Sequence, residues 1–286
     1  MRRKSMKRTR WLIGMVLVCL AVLIWLPLWL ISSGALMSAE ETAQNLSPVL
    51  GSGDGFALWP LIPRFPTLAP LVELLLDSPE FFAMFWNSCG QVFPIVLGQV
   101  AIGAPAAWAF ARYKFRGKKA LFTLYIILML MPFQVTMVSN YLVLDGLGLM
   151  DTVWAVILPG AVSTFPVFLM TRFFAAIPQS LIEAAELDGA GTFQVFLRVG
   201  IPLGAPGILS AVVLGFLEYW NALEAPLTFL KDKTLWPLSL YLPTATAENA
   251  GASLAASLVM LIPALLIFLF GQRYLEEGIA ASGLKE

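Results

Sequence analysis

The sequence predicts an all-α membrane protein with six transmembrane helices. Three observations carry that expectation. The 286-residue chain is 59% hydrophobic and 13% charged, with a mean hydropathy of +0.81. A soluble domain of this size cannot hide so much apolar surface, so lipid is the solvent for most of the chain. Six stretches (11–36, 87–111, 120–144, 152–171, 201–220 and 252–271) are long and apolar enough to cross a bilayer as helices, which takes about 20 residues at a rise of about 1.5 Å each. None alternates in the manner of a barrel strand, and in hydrocarbon the helix satisfies its own backbone groups. Finally, the charges are unevenly placed. Arg2, Arg3, Lys4, Lys7, Arg8 and Arg10 precede the first span, and Arg112, Lys114, Arg116, Lys118 and Lys119 fill the turn after the second. The stretch between spans one and two carries Glu40, Glu41, Asp54, Glu73, Asp77 and Glu80 against Arg64 alone. Basic flanks stay in the cytoplasm, so both termini and the loop between spans four and five are expected there.

The elements follow in order. A basic cytoplasmic tail (1–10) leads into span one, whose apolar run exceeds a signal-peptide core and ends without a small-x-small site, so it reads as a retained anchor. In the outer segment 37–86, Gly51 to Gly55 form a turn and Pro60, Pro63, Pro66 and Pro70 forbid a long helix. A short surface helix is expected after Pro70, with Phe81, Phe82, Phe85 and Trp86 at the lipid interface. Span two is rich in small and kinking residues (Gly90, Pro94, Gly98, Gly103, Pro105), the composition of close helix packing. Pro132, Pro159, Pro166 and Pro263 interrupt spans three, four and six. A cytoplasmic tail occupies 272–286, leaving 11–271 as one membrane domain.

The loop at 178–200 is longer than a simple return to the membrane requires. Ser180 with Glu183 three residues on reads as a capping box opening a short helix, and Asp188-Gly189 as its end. Ala190 to Val199 read as a second helix with Phe193, Phe196 and Leu197 on its apolar side, and Pro202 as the entry to span five. Each feature alone is common in a loop that binds nothing.

Together, Glu183-Ala184-Ala185, Asp188-Gly189-Ala190 and Ile201-Pro202-Leu203 resemble the coupling loop of ABC importer permeases. Further matches point to the carbohydrate-uptake (MalG-type) branch: Phe65 to Leu68, Asn87-Ser88, Ala107-Trp108-Ala109-Phe110-Ala111-Arg112, Phe115-Arg116-Gly117, Met131-Pro132, Gly146 to Leu149, Trp220-Asn221 with Pro226, and the tail from Gln272 to Lys285. Ser282 departs from the glycine often found there.

The resemblance implies the type I ABC importer permease fold, with a cytoplasmic coupling helix. Its coupling residues would be Glu183, Ala184, Ala185, Asp188, Gly189, Ala190 and Pro202. It also implies partners: a homodimeric ATPase, a second permease and an extracytoplasmic solute-binding protein, in a lipid bilayer and without nucleic acid. Glu218, Trp220 and Asn221, near the outer end of span five, are candidates for the pathway or outer gate. Glu218 reads equally as a hydrated packing residue. Other import branches (polyamine, phosphonate, amino acid) share the loop, and a stand-alone carrier or channel is a remoter alternative. The chain has no Gly-x-x-x-x-Gly-Lys-Ser/Thr phosphate loop and no His, so no catalytic, metal or cofactor site is expected. Cys19 and Cys89 fall in spans, which gives no disulfide framework.

Overall fold

The computed structural model describes residues 2–50, 55–241 and 250–283, with side chains over 11–49, 55–241 and 250–276. The described residues are almost all helical. The chain divides into two compact units, residues 1–82 with 242–262, and residues 83–241 with 263–286.

In the first unit, α1 (Arg2–Gly34) is the anchor, and the basic tail 2–10 is its first turns. The sequence reading missed α2 (Ala39–Leu50). Its Glu41 carboxylate accepts the backbone N–H of Arg64 at 2.9 Å and of Phe65 at 3.4 Å. The indole of Trp59 donates to Leu30 O at 3.2 Å, that of Trp29 to Leu61 O at 2.7 Å, and Thr67 N to Leu36 O at 2.8 Å. These bonds, rather than regular structure, order the proline-rich segment. The expected surface helix is α3 (Ala69–Leu76), with proline in its first turn where the missing N–H costs nothing.

Span two corrects the sequence reading: α4 runs from Pro79 to Arg112, eight residues longer at its start than expected. Phe81 and Phe85 therefore belong to the span's first turns, and Phe81 is buried. Proline at the helix start made the longer element possible.

Span three is also different. The stretch 120–144 is not one rod but α5 (Lys118–Leu130) and α6 (Phe133–Gly146), bent by 105° at Met131-Pro132. Pro132 forces Met131 into an extended conformation (φ −74°, ψ 125°), which ends the first helix. Among the described residues, five helices are each long and apolar enough to cross a membrane, and the bent pair makes a sixth candidate.

Span four combines α7 (Trp154–Ala161) and α8 (Thr164–Ala176), and two residues later comes α9 (Gln179–Leu187). After α10 (Thr192–Val195), a π turn (Phe196–Gly200) continues into α11 (Ile201–Trp220). The expected separate second loop helix is thus continuous with span five, from Thr192 to Trp220. Pro202 lacks an N–H and crowds the preceding turn. The helix widens there, with Ile201 N bonding to Phe196 O five residues back, instead of stopping. Small residues of the π turn and α11 receive aromatic rings. Gly200 lies under Trp108, Gly204 under Phe174 and Gly207 under Phe173. After α12 (Glu224–Phe229), α13 (Ala250–Gly283) forms the last span and carries the helix through residues 272–283. Residues 284–286, the end of the expected tail, lie outside the described residues.

Candidate functional site: the loop helix and the outer cavity

The loop helix α9 opens differently from the expected capping box. Pro178 occupies the cap position, Ser180 lies inside the first turn, and no side chain caps the helix. Proline's fixed φ sets the entry without needing a hydroxyl. The exit agrees with the sequence. Gly189 has φ +84°, Ala190 N donates to Ala185 O at 3.0 Å, and Gly189 N donates to Glu186 O at 3.0 Å. This paired pattern is the Schellman turn, and it requires the left-handed conformation that glycine adopts without steric cost. Two residues on, the Gln194 side chain accepts the Gly191 N–H at 3.0 Å and starts the next helix.

One side of α9 is anchored and the other is bare. Ile182 is buried in a cluster with Trp108, Phe174, Ile177, Val195 and Phe196, and Ala185 and Ala190 pack against it. Glu183, Ala184, Asp188 and Gly189 are exposed, as is Pro202 beyond the π turn. Leu187 is 88% and Phe193 70% exposed, and Leu181 and Leu197 lie open beside them. A concavity of about 240 Å³ separates the two helices, lined by Ala185, Asp188, Gly189, Ala190, Val195 and Arg198 among others. Asp188 and Arg198 bring opposite charges to the lining of that concavity, and Glu183 and Glu186 are exposed on α9. Of the expected second-helix contacts, Phe196 is buried whereas Phe193 and Leu197 face out.

At the far end of the spans, a cavity of about 500 Å³ is lined by Phe133, Asn140, Tyr219, Glu218, Asn221, Glu224 and Phe229 among others. Glu218 and Asn221 therefore share one concavity. Trp220 does not join them: it is buried, stacked on Phe216 at 5.3 Å, with Phe85 edge-on at 5.8 Å. Glu224 accepts the Gln134 side-chain amide, which links α12 to α6 across the cavity rim.

The chain beyond α12 is pinned from two sides. Asp151, at φ +59°, accepts the N–H groups of Lys231 and Asp232 on one carboxylate oxygen, each at 2.8 Å. From α4, the Asn87 amide donates to Thr234 O at 2.6 Å and Trp236 O at 3.0 Å, the Gln91 amide donates to Leu235 O at 2.8 Å, and Ser88 Oγ accepts Leu238 N at 2.7 Å. Asp232 accepts Thr234 N at 2.9 Å, and that bond holds its carboxyl below the usual range. Sequence reasoning quoted Asn87-Ser88 without finding their role, because the bonded residues lie about 150 positions away.

Bent spans, a capped loop helix with an open apolar face, and an outer cavity are features of a transport subunit. The family of binding-protein-dependent transport system inner membrane components matches residues 99–280. The chain belongs to this family. Among similar proteins, the arabinooligosaccharides transport system permease protein AraQ of Halalkalibacterium halodurans is 25% identical over 288 residues, covering 100% of both chains. The diacetylchitobiose uptake system permease protein DasC of Streptomyces coelicolor is 30% identical over 214 residues, 73% of this chain and 78% of that protein. A chain of a bacterial ABC transporter that imports the acidic polysaccharide alginate superposes with a TM-score of 0.79 at 20% identity, covering 94% of this chain and 97% of that one. That likeness fixes the fold as that of an ABC importer permease.

Proposed function

We propose that this chain is one of two permease subunits of a binding-protein-dependent ABC importer for a sugar or oligosaccharide. It takes no part in the chemistry of ATP hydrolysis, which belongs to a separate homodimeric ATPase. It sits in the cytoplasmic membrane with both termini inside, as the basic residues before α1 and after α4 favour. The α9 helix docks on the ATPase through Glu183, Ala184, Ala185, Asp188, Gly189 and Ala190. Closure of the ATPase pair moves α9 and the spans attached to it, and Pro202 with its π turn carries that movement into α11.

The observation that carries this reading is the two-sided character of α9. It is held to the membrane helices through buried Ile182, while Leu187 and Phe193 stand open beside a turn that only Gly189 adopts without strain. Support for a saccharide comes from the relatives, whose names include arabinooligosaccharides and diacetylchitobiose. The outer cavity agrees, since aromatic faces (Phe133, Phe229, Tyr219) with carboxylates and amides (Glu218, Glu224, Asn140, Asn221) suit a polyhydroxylated ring. Glu218 and Asn221 are assigned to the pathway's outer end, and Trp220 supports them from behind.

The test is gentle detergent purification from the native membrane with mass spectrometry of the co-purifying proteins. An ATPase, a second permease and a solute-binding protein are expected. A chain that purifies alone, under conditions that preserve other ABC complexes, overturns the assignment.

A further inference from the structure

We infer that Arg112 is the positioning residue that locks the loop helix to span two, so that α9 and the cytoplasmic end of α4 move as one body. This rests on the docking of α9 proposed above and names the part that passes its movement inward. The guanidinium Nη2 of Arg112 donates to Phe174 O and to Ile177 O, both at 2.5 Å. Phe174 lies in the last turn of α8, where the helix dipole favours a cation, and its carbonyl accepts the Ile177 N–H at 3.4 Å as well as the guanidinium. Ile177 belongs to the two-residue link Ile177-Pro178, through which any movement of α9 reaches span four. Pro178 has no N–H with which to brace that link. Arg112 thus ties span two to both sides of the joint.

The clamp is itself braced. The guanidinium lies over the Trp108 ring, 5.5 Å from its centre and one helical turn back on α4. Trp108 packs edge-on against Phe174 at 5.4 Å and against Phe196 of the π turn at 5.7 Å. A Cβ on Gly200 would meet the Trp108 ring at 2.8 Å, so the contact exists because that position has no side chain. Spans two, four and five and the loop helix therefore meet in one aromatic core, with Phe174 fully buried and Ile182 inserted from α9. Such a core moves as a block rather than deforming, because close-packed rings have few alternative arrangements. A lysine would keep the charge but not the planar, forked guanidinium that lies over Trp108.

The experiment uses the complete complex in lipid nanodiscs, with Cys19 and Cys89 replaced by serine and spin labels at K114C and S180C, both exposed positions near the joint. The inter-label distance is measured without nucleotide and after vanadate trapping. One narrow distance, the same in both states, is expected for the native Arg112. In Arg112→Gln the trapped state should broaden or split while the resting state stays narrow. Losing both bonds should shift the clamped-to-unclamped ratio by about tenfold or more. Arg112→Lys should fall between the two.

A purely structural role would disturb both states alike, and that result overturns the inference. So does a native distance that changes between states, an outcome that needs no variant. Failure of the docking proposal is seen separately, as an ATPase that does not stay with the unsubstituted chain.

Discussion

Replacing Gly189 with valine isolates the backbone term of the loop helix. At φ +84°, a residue with a Cβ meets its own carbonyl, which costs about 1–2 kcal/mol, with a β-branched residue toward the upper end. No atom lies within 4 Å of a Cβ built on Gly189, so the surroundings add no clash and the penalty stays local. One or two kcal/mol lowers the ratio of the native turn to its alternatives by a factor of about 5–30. The alternative conformers lose the bonds from Ala190 to Ala185 and from Gly189 to Glu186, and turn Asp188 and Ala190 away from their present directions. The span helices do not depend on these bonds, so insertion and total protein should be unchanged. The assay is solute uptake per ATP hydrolysed in reconstituted vesicles, alongside the amount of ATPase retained on purification. Gly189→Val should reduce both, by at most about 5–30-fold, and Gly189→Asn much less, since asparagine tolerates the left-handed region. Native coupling in Gly189→Val would refute the link between this turn and docking.

Glu183→Ala removes an exposed side chain that caps nothing, so the melting temperature should hardly move, with stability within about 0.5 kcal/mol of the parent. A loss of ATPase retention in that variant would then report a lost contact across the interface. Phe174→Ala empties the centre of the aromatic core and should cost about 3–5 kcal/mol, read as a drop in the thermal midpoint in detergent. Asp151→Ala should free the backbone at Lys231 and Asp232, read as faster amide exchange there with the spans unaffected. Because the folded carboxyl of Asp232 titrates below its unfolded value, its support for the Thr234 N–H is complete above the ordinary carboxylate range. It is lost as pH falls through the lower folded value, so exchange at Thr234 should accelerate only under strong acid.

Much of this protein was legible in the chain. The spans follow from apolar runs because lipid offers the backbone no other partner. The turn at Asp188-Gly189 follows from local conformational preference, which needs no distant neighbour. Glu183 to Ala190 could be proposed as one site because they are adjacent in sequence. Proline was the residue whose outcome depended most on its surroundings. Pro202, read as the entry to span five, lies in a helix that runs on through a widened turn, Pro132, read as interrupting span three, bends it by 105°, and Pro178 holds the cap position given to Ser180. Proline removes a donor in every case, and the surrounding packing decides whether the helix bulges, bends or begins.

The sequence by itself determined the solvent, the helical class and the loop's turn, since each depends on composition or on residues within a few positions. Only the tertiary structure decided that Arg112 reaches Phe174 and Ile177, that Trp220 turns into the core while Glu218 and Asn221 line a cavity, and that Asn87 holds Thr234. Those pairings join groups 62 to 147 residues apart or choose between faces of one helix. A helix period leaves that choice open until its neighbours are in place.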